Sequence, residues 1–307
     1  MSLLLDYIEK TPKETKRLIG IDYEQLQQLF TQGEALHHQK EVESEGNKFR
    51  LNSAGAGCKP KLSLPDQMLL TLVYLSQLHT FQYLGVQFGV CESTANNIFH
   101  YWLDIFTELL PASLLEQLKK KDGDLELVKE LLTQYELTVD SAEQAIERPS
   151  THEEQKKFFS GKKKNHTIKN QFIVLPSGQD LVDVKVGDPG PTSDINQFRA
   201  RQEEFEPEQK FKGDKAYIGE KQISTPHKKP KNKELTPVQK QSNKEFSASR
   251  IFVEHVIRVV KIFRVAQERF RLNRDTYEQV ILAGGGLVRL RIGALVLPVS
   301  RGRVMGE

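Results

Sequence analysis

Near residue 137 the apolar periodicity of the chain changes from helical to strand-like, and no other feature constrains the fold as much. Before it, Tyr23, Leu26, Leu29 and Phe30 recur at helical spacing, as do Met68, Leu69, Leu72, Val73 and Leu75. After it, residues 137–140 (LTVD), 171–175 (QFIVL), 181–186 (LVDVKV) and 210–214 (KFKGD) are short runs bounded by Gly, Pro and Ser, as strands are. Helices are expected at 194–205 and 247–271. Strands followed by alternating helices imply an α/β domain, one mixed sheet covered by helices, preceded by an all-α region. A length of 307 residues also suits two units. The expected divisions are a helical region over 1–58, a helix-turn-helix over 59–110, a helical connector over 111–134, the α/β domain over 135–282 and a tail over 283–307.

Within the helical part, residues 52–61 (NSAGAGCKPK) read as a loop, and Pro65 suits the first turn of a helix. Residues 80–97 have the form of a helix-turn-helix. Thr80 can cap a short helix carrying Tyr83, Leu84 and Phe88. Gly89 supplies a left-handed turn, Val90 fills the space between the helices, and Ser93 can cap the second. That helix would present Glu92, Ser93, Thr94, Asn96 and Asn97 near its start, where such helices meet base edges. An ordinary helical hairpin would use the same residues.

Asp140 and Asp214 each end a predicted strand, and side chains at the ends of neighbouring strands can converge outside the sheet edge. Glu254, on the predicted long helix, can bring a third carboxylate to that point. Three oxygen donors from separate elements suit Mg²⁺ or Mn²⁺, and a pair of such ions can drive in-line attack at phosphorus. No His or Cys is spaced to contribute there. A single Asp after a strand is equally a turn former or a cap. The helix adds weight: Arg250, Glu254 and Lys261, four and seven residues apart, share one face with Arg258, so cations flank the acid. Ile251, Val253, Val256, Ile257, Val260 and Ile262 give the same helix a broad apolar surface for docking.

Net charge is only +3, but basic residues gather locally. Lys162, Lys163, Lys164, His166 and Lys169 follow Gly161 and precede a predicted strand, so they can cluster beside the sheet edge, and Lys228, Lys229, Lys231 and Lys233 sit in a Pro-containing loop. Such patches meet phosphates, although a solvated basic loop has the same composition. Two cysteines, Cys58 and Cys91, exclude a disulfide framework. Asp6 and Glu9 interrupt any apolar leader, and Arg289 and Arg291 break the apolar stretch 280–299, so a cytoplasmic protein without a membrane span is expected. Gly284, Gly285 and Gly286 read as a flexible break before the tail.

Taken together these segments resemble the insertion-sequence transposases with an Asp-Asp-Glu triad, specifically insertion-sequence family five, related to Harbinger elements. The matching stretches are 139–149 (VDSAEQAIERP), 159–174 (FSGKKKNHTIKNQFIV), 213–220 (GDKAYIGE), 226–265 with its R-x₃-E-x₆-K spacing, 289–298 (RLRIGALVLP) and the helix-turn-helix stretch 60–103. The resemblance implies a ribonuclease-H-like catalytic domain in which Asp140, Asp214 and Glu254 hold two Mg²⁺ or Mn²⁺ ions. Asp194, in PGPTSD, belongs to a recurrent motif of the group and is the alternative second aspartate. Lys162, Lys163, Lys164, His166, Arg250, Arg258 and Lys261 would meet phosphates, and Ser93, Thr94, Asn96 and Asn97 would meet the terminal repeats. Double-stranded DNA, both element ends and target, and a homo-oligomer on it are the implied partners. The chain departs from the group at Ser141-Ala142 (usually Gly-Thr), Ser193 (His), Ala216 (Gly), Ser247 (Tyr) and Cys58 (a basic residue). Two other readings use the same residues: a DNA-binding protein that has lost catalysis, and a nuclease that cuts without joining.

Overall fold

The computed structural model describes residues 2–46, 60–121, 123–231 and 234–298, which form two compact units. The expected loop at 52–61 therefore lies almost wholly outside the described residues, as do Cys58 and Lys233.

The first unit takes in residues 1–110 and the chain end from Leu295. Its helices are α1 (Leu3–Lys10), α2 (Thr15–Ile19), α3 (Tyr23–Gly46), α4 (Leu64–Gln77), α5 (Phe81–Phe88) and α6 (Glu92–Leu109). Leu26, Leu29, Leu69, Leu72, Phe99, Trp102 and Phe106 are fully buried, so the faces read from the sequence are the ones that pack. Pro65 stands in the first turn of α4, where its missing N–H has no partner to lose. Thr80 caps α5 through the Tyr83 N–H, and Gly89 ends it at φ 72°, which an L side chain resists. The second helix of the motif has Cys91 rather than Ser93 at its N-cap position, with no side-chain capping bond. The turn is two residues tighter than expected, and Ser93 falls inside the first turn of α6.

The second unit, residues 111–294, holds the sheet. Helices α7 (Leu114–Lys120) and α8 (Leu125–Leu132) lead into strand β1 (Glu136–Ala145). There follow α9 (His152–Phe158), β2 (Phe159–Ser160), β3 (Asn165–Val174), β4 (Leu181–Pro189), α10 (Asp194–Arg199), β5 (Lys210–Lys212) and β6 (Ile223–Ser224). Three helices close the unit: α11 (Pro237–Ser249), α12 (Ile251–Val260) and α13 (Tyr277–Arg291). β3 lies antiparallel between β1 and β4, and β5 and β6 continue parallel to β1 on its other side. The order β4–β3–β1–β5–β6, three antiparallel strands and two parallel ones, is the ribonuclease-H-like arrangement. β2 only extends the β3 hairpin, through Phe159 opposite His166. One face of the sheet buries Leu137, Val139, Ile173, Val182 and Phe211 with Phe198 and Phe205. α12 packs on β1 and β3, and α13 on β4.

Three expectations need correction. The single helix 247–271 is two: α11 begins ten residues earlier, the chain breaks at Arg250, and α12 stops at Val260. Of its apolar face, Val253, Val256, Ile257 and Val260 are buried, but Ile251 and Ile262 are exposed because they lie at or beyond its ends. The helix after the third predicted strand ends at Arg199, followed by a 3-10 turn over Gln202–Glu204. Gly284, Gly285 and Gly286 are no break. They are buried within α13, and the expected boundary between 282 and 283 falls inside that helix. A Cβ on Gly285 would stand 3.0 Å from the Ala112 Cβ, so the glycine permits a close approach. No helix among the described residues is long and apolar enough to cross a membrane.

Candidate active site

Asp140 lies midway along β1, not at its end, because β3 pairs with the strand all the way to Ala145. The partner that does end there is β5. Its parallel ladder stops at Thr138 opposite Lys212, and Asp140 and Asp214 each stand two residues farther on. Strand alternation turns the neighbouring side chains to opposite faces: Asp140 toward Arg250, Ser141 toward Gln197 and Tyr217. Gly213 makes the turn after β5 possible, since a Cβ there would meet the Tyr217 ring at 2.7 Å. The Asp214 Oδ1 accepts the Ala216 N–H at 2.7 Å and so also caps the next turn.

Asp194 opens α10, but Ser193 does the capping by accepting the Asn196 N–H. The Asp194 carboxylate instead meets the buried Lys169 ammonium at 2.9 Å. Arg250, at the break between α11 and α12, lies 3.6 Å from the Asp140 carboxylate, and its Nε is buried without a hydrogen-bond partner. The turn between the two helices places this guanidinium beside Asp140.

One cleft of about 740 Å³ gathers these groups. Asp140, Asp194, Asp214, Glu254 and Glu143 line it, and so do Lys162, Lys163, Lys169, Arg258 and Lys261. Burial pushes the Asp140 carboxyl up to about 6. Arg250 and the Ser141 N–H at 2.9 Å pull it down, while the charges of Asp214 and then Asp194 raise it. Among the described residues no three of these carboxylates bring oxygens within 4.8 Å of one another, and Glu254 stands exposed on α12. The acids share a cleft, with Glu254 on its rim.

Other expected residues lie apart. Lys164 occupies the hairpin turn at φ 50° and His166 packs edge-on against Phe159; neither lines the cleft. Lys169 does not precede the strand but lies buried within it. In the first unit, Ser93, Asn96 and Asn97 line an exposed depression at the start of α6, whereas the Thr94 hydroxyl sits 3.0 Å from the Cys91 Sγ.

Sequence reasoning missed the layer beneath the acids. Tyr217 donates to the Ser141 Oγ at 3.0 Å and accepts from the Gln171 Nε2 at 3.1 Å, and Ser141 donates to the Gln197 Oε1 at 3.1 Å. Burial holds the Tyr217 phenol far above its ordinary range, so it stays protonated. Ser141 thus locks the strand beside Asp140 to α10. Glu143 was missed as well, because alternation would send it to the opposite face from Asp140.

Residues 139–289 match the family described as DDE superfamily endonuclease, and residues 60–112 match the helix-turn-helix of DDE superfamily endonuclease. A curated relative, a probable transposase for insertion sequence element IS702 from Microchaete diplosiphon, is 33% identical over 219 residues, covering 70% of this chain and 76% of that protein. Among solved structures, the mariner Mos1 paired end complex with Mg is 12% identical, covers 94% of this chain and 92% of its own, and has a TM-score of 0.21. The Mos1 paired-end complex with left transposon end is also 12% identical, covers 81% and 86%, and has a TM-score of 0.18.

Proposed function

The chain belongs to the DDE superfamily endonucleases, as a transposase with its own helix-turn-helix, and from that premise we propose how its cleft works. Asp140, Asp214 and Glu254 are the metal-holding acids, and the observation that carries this reading is their meeting, with five cations, in one cleft. The donor set fits a hard divalent cation: every candidate is a carboxylate, and burial and neighbouring negative charge raise the Asp140 carboxyl to about 6, a penalty on its charged form that a cation would offset. Bound there, Mg²⁺ or Mn²⁺, as a pair, would supply Lewis-acid activation of the attacking oxygen and stabilise charge at phosphorus.

The protein's own groups do the rest. Arg250 fixes the Asp140 carboxylate and offers its unpartnered Nε to a phosphate oxygen. Lys162, Lys163, Arg258 and Lys261 line the cleft and neutralise the DNA backbone there. Lys164 and His166 would meet DNA outside the cleft. Asp214 is preferred to Asp194 because it leaves the sheet in register with Asp140 and acts more strongly on its charge, whereas Lys169 already neutralises Asp194. In the first unit, α6 would place Ser93, Asn96 and Asn97 against bases of the terminal repeat, with Thr94 beside them. Joining two element ends calls for at least two copies of the chain on DNA.

The deciding experiment incubates the protein with a labelled element end, a target plasmid and Mg²⁺ or Mn²⁺. Cleavage followed by strand transfer is expected. Binding without cleavage in either metal would leave a DNA-binding protein, and cleavage without joining a nuclease. Asp214→Asn should lower cleavage by about 10³-fold, the scale of losing one group that stabilises transition-state charge, with end binding intact. Loss of cleavage in Asp194→Asn but not in Asp214→Asn would reverse the choice of second acid.

A further inference from the structure

The acidic cleft is not the only place where ligating side chains gather. On α3, one ligand atom each from His37, His38 and Glu41 lie within 4.8 Å of one another, the single such group among the described residues. We propose that these three side chains bind a transition-metal cation of the zinc class, at a site in the helical unit that is separate from the carboxylates of the sheet.

The distances suit that ion. The Glu41 Oε2 is 3.4 Å from the His37 Nε2 and 3.3 Å from the His38 Nδ1. A tetrahedral zinc site with bonds of about 2.0–2.1 Å has ligand–ligand edges of about 3.3–3.4 Å, so the two edges that meet at the carboxylate already have the length such an ion requires. Two imidazoles and one carboxylate select zinc, nickel or copper over Mg²⁺, which takes oxygen donors. The fourth position is open for water.

A second feature distinguishes the cluster from a chance His–Glu contact along a helix. The other ring nitrogen of His37, Nδ1, lies 2.6 Å from the Tyr101 hydroxyl on α6, and the ring stacks on Trp102. With the proton on Nδ1, the ring donates to Tyr101 and leaves the Nε2 lone pair for the metal. A ligating histidine ordinarily has its second nitrogen held this way. His37 is only 14% exposed, so its ring is fixed by packing, while His38 at 65% and Glu41 at 57% remain open to solvent. A metal here would also polarise the His37–Tyr101 bond and tie α3 more firmly to α6, the second helix of the helix-turn-helix.

The test uses the full chain without a histidine tag, in millimolar Mg²⁺ to occupy the acidic cleft, titrated with Zn²⁺ by calorimetry. One equivalent should bind. His38→Ala and Glu41→Gln, both surface changes, should each weaken uptake by at least about tenfold, and Tyr101→Phe by about 10–100-fold, the range for losing a group that orients a ligand. Cleavage of element ends in Mg²⁺ should be unchanged in His38→Ala. Absence of saturable Zn²⁺ uptake, or uptake undiminished in the His38→Ala/Glu41→Gln double variant, would overturn the site. Zinc uptake lost only with Asp140→Asn would assign the ion to the cleft instead.

Discussion

At the scale of single residues, Asp140 concentrates the conflict on which the cleft depends. Its carboxylate is largely buried, and Arg250 alone does not offset the burial, so its pKa rises from 3.8 to about 6. The folded chain therefore holds the proton more tightly than the unfolded chain does. By linkage, this group's contribution to stability falls as pH rises from about 4 to 6, and the full cost is present above that window. Without divalent metal, Asp140→Asn should raise the melting temperature relative to wild type at about pH 8, and the gain should vanish near pH 4. Thermal melts across that range check it. Mg²⁺ should recover part of the same stability in wild type and little in the variant. A gain that stays constant with pH would mean that the carboxylate is not the source.

At the scale of elements, the chain could be read where periodicity is long and could not where tertiary contacts decide. Both helices of the helix-turn-helix and all four long or site-bearing strands were visible, because caps, turns and apolar faces are local. The ends of β1 were not, because Asp140 to Ala145 is kept in strand by pairing with β3, which no local pattern encodes. The break at Arg250 was hidden in the same way: nothing in ASRIFV resists helix, yet the break sets the guanidinium over Asp140. Neither did the spacing of His37 and His38 betray a site, since adjacent residues on a helix diverge and only Glu41 one turn on draws them together. The glycine run is the clearest misreading, because composition says loop whereas packing says helix. Gly285 touches Ala112, but the space around a Cβ on Gly284 is empty. Gly284→Ala should therefore stabilise the chain by up to about 1 kcal/mol through helix propensity. Gly285→Val should cost about 1–3 kcal/mol through overpacking. Denaturant midpoints of the two variants should move in opposite directions.

At the scale of the whole molecule, the chain's path sets which part depends on which. It leaves the helical unit at Leu110, builds the sheet unit, and returns at Leu295 to finish the first. Leu295 and Leu297 are buried there, and the Gln32 side chain donates to the Pro298 carbonyl at 2.9 Å. The helical unit is thus completed by residues synthesised after the catalytic sheet, and its last contacts cannot form until the rest of the chain exists. The single tryptophan, Trp102, is buried in this unit, so its fluorescence reports the helical unit directly. Leu297→Ala should lower the stability followed by Trp102 in urea by about 2–4 kcal/mol, the cost of deleting a buried leucine side chain. End binding should weaken under mildly destabilising conditions, because the helix-turn-helix belongs to the unit that loses the contact. If the Trp102 midpoint does not move, the returning tail adds nothing to that unit's cooperative fold, and the dependence of the DNA-reading part on the end of the chain fails with it.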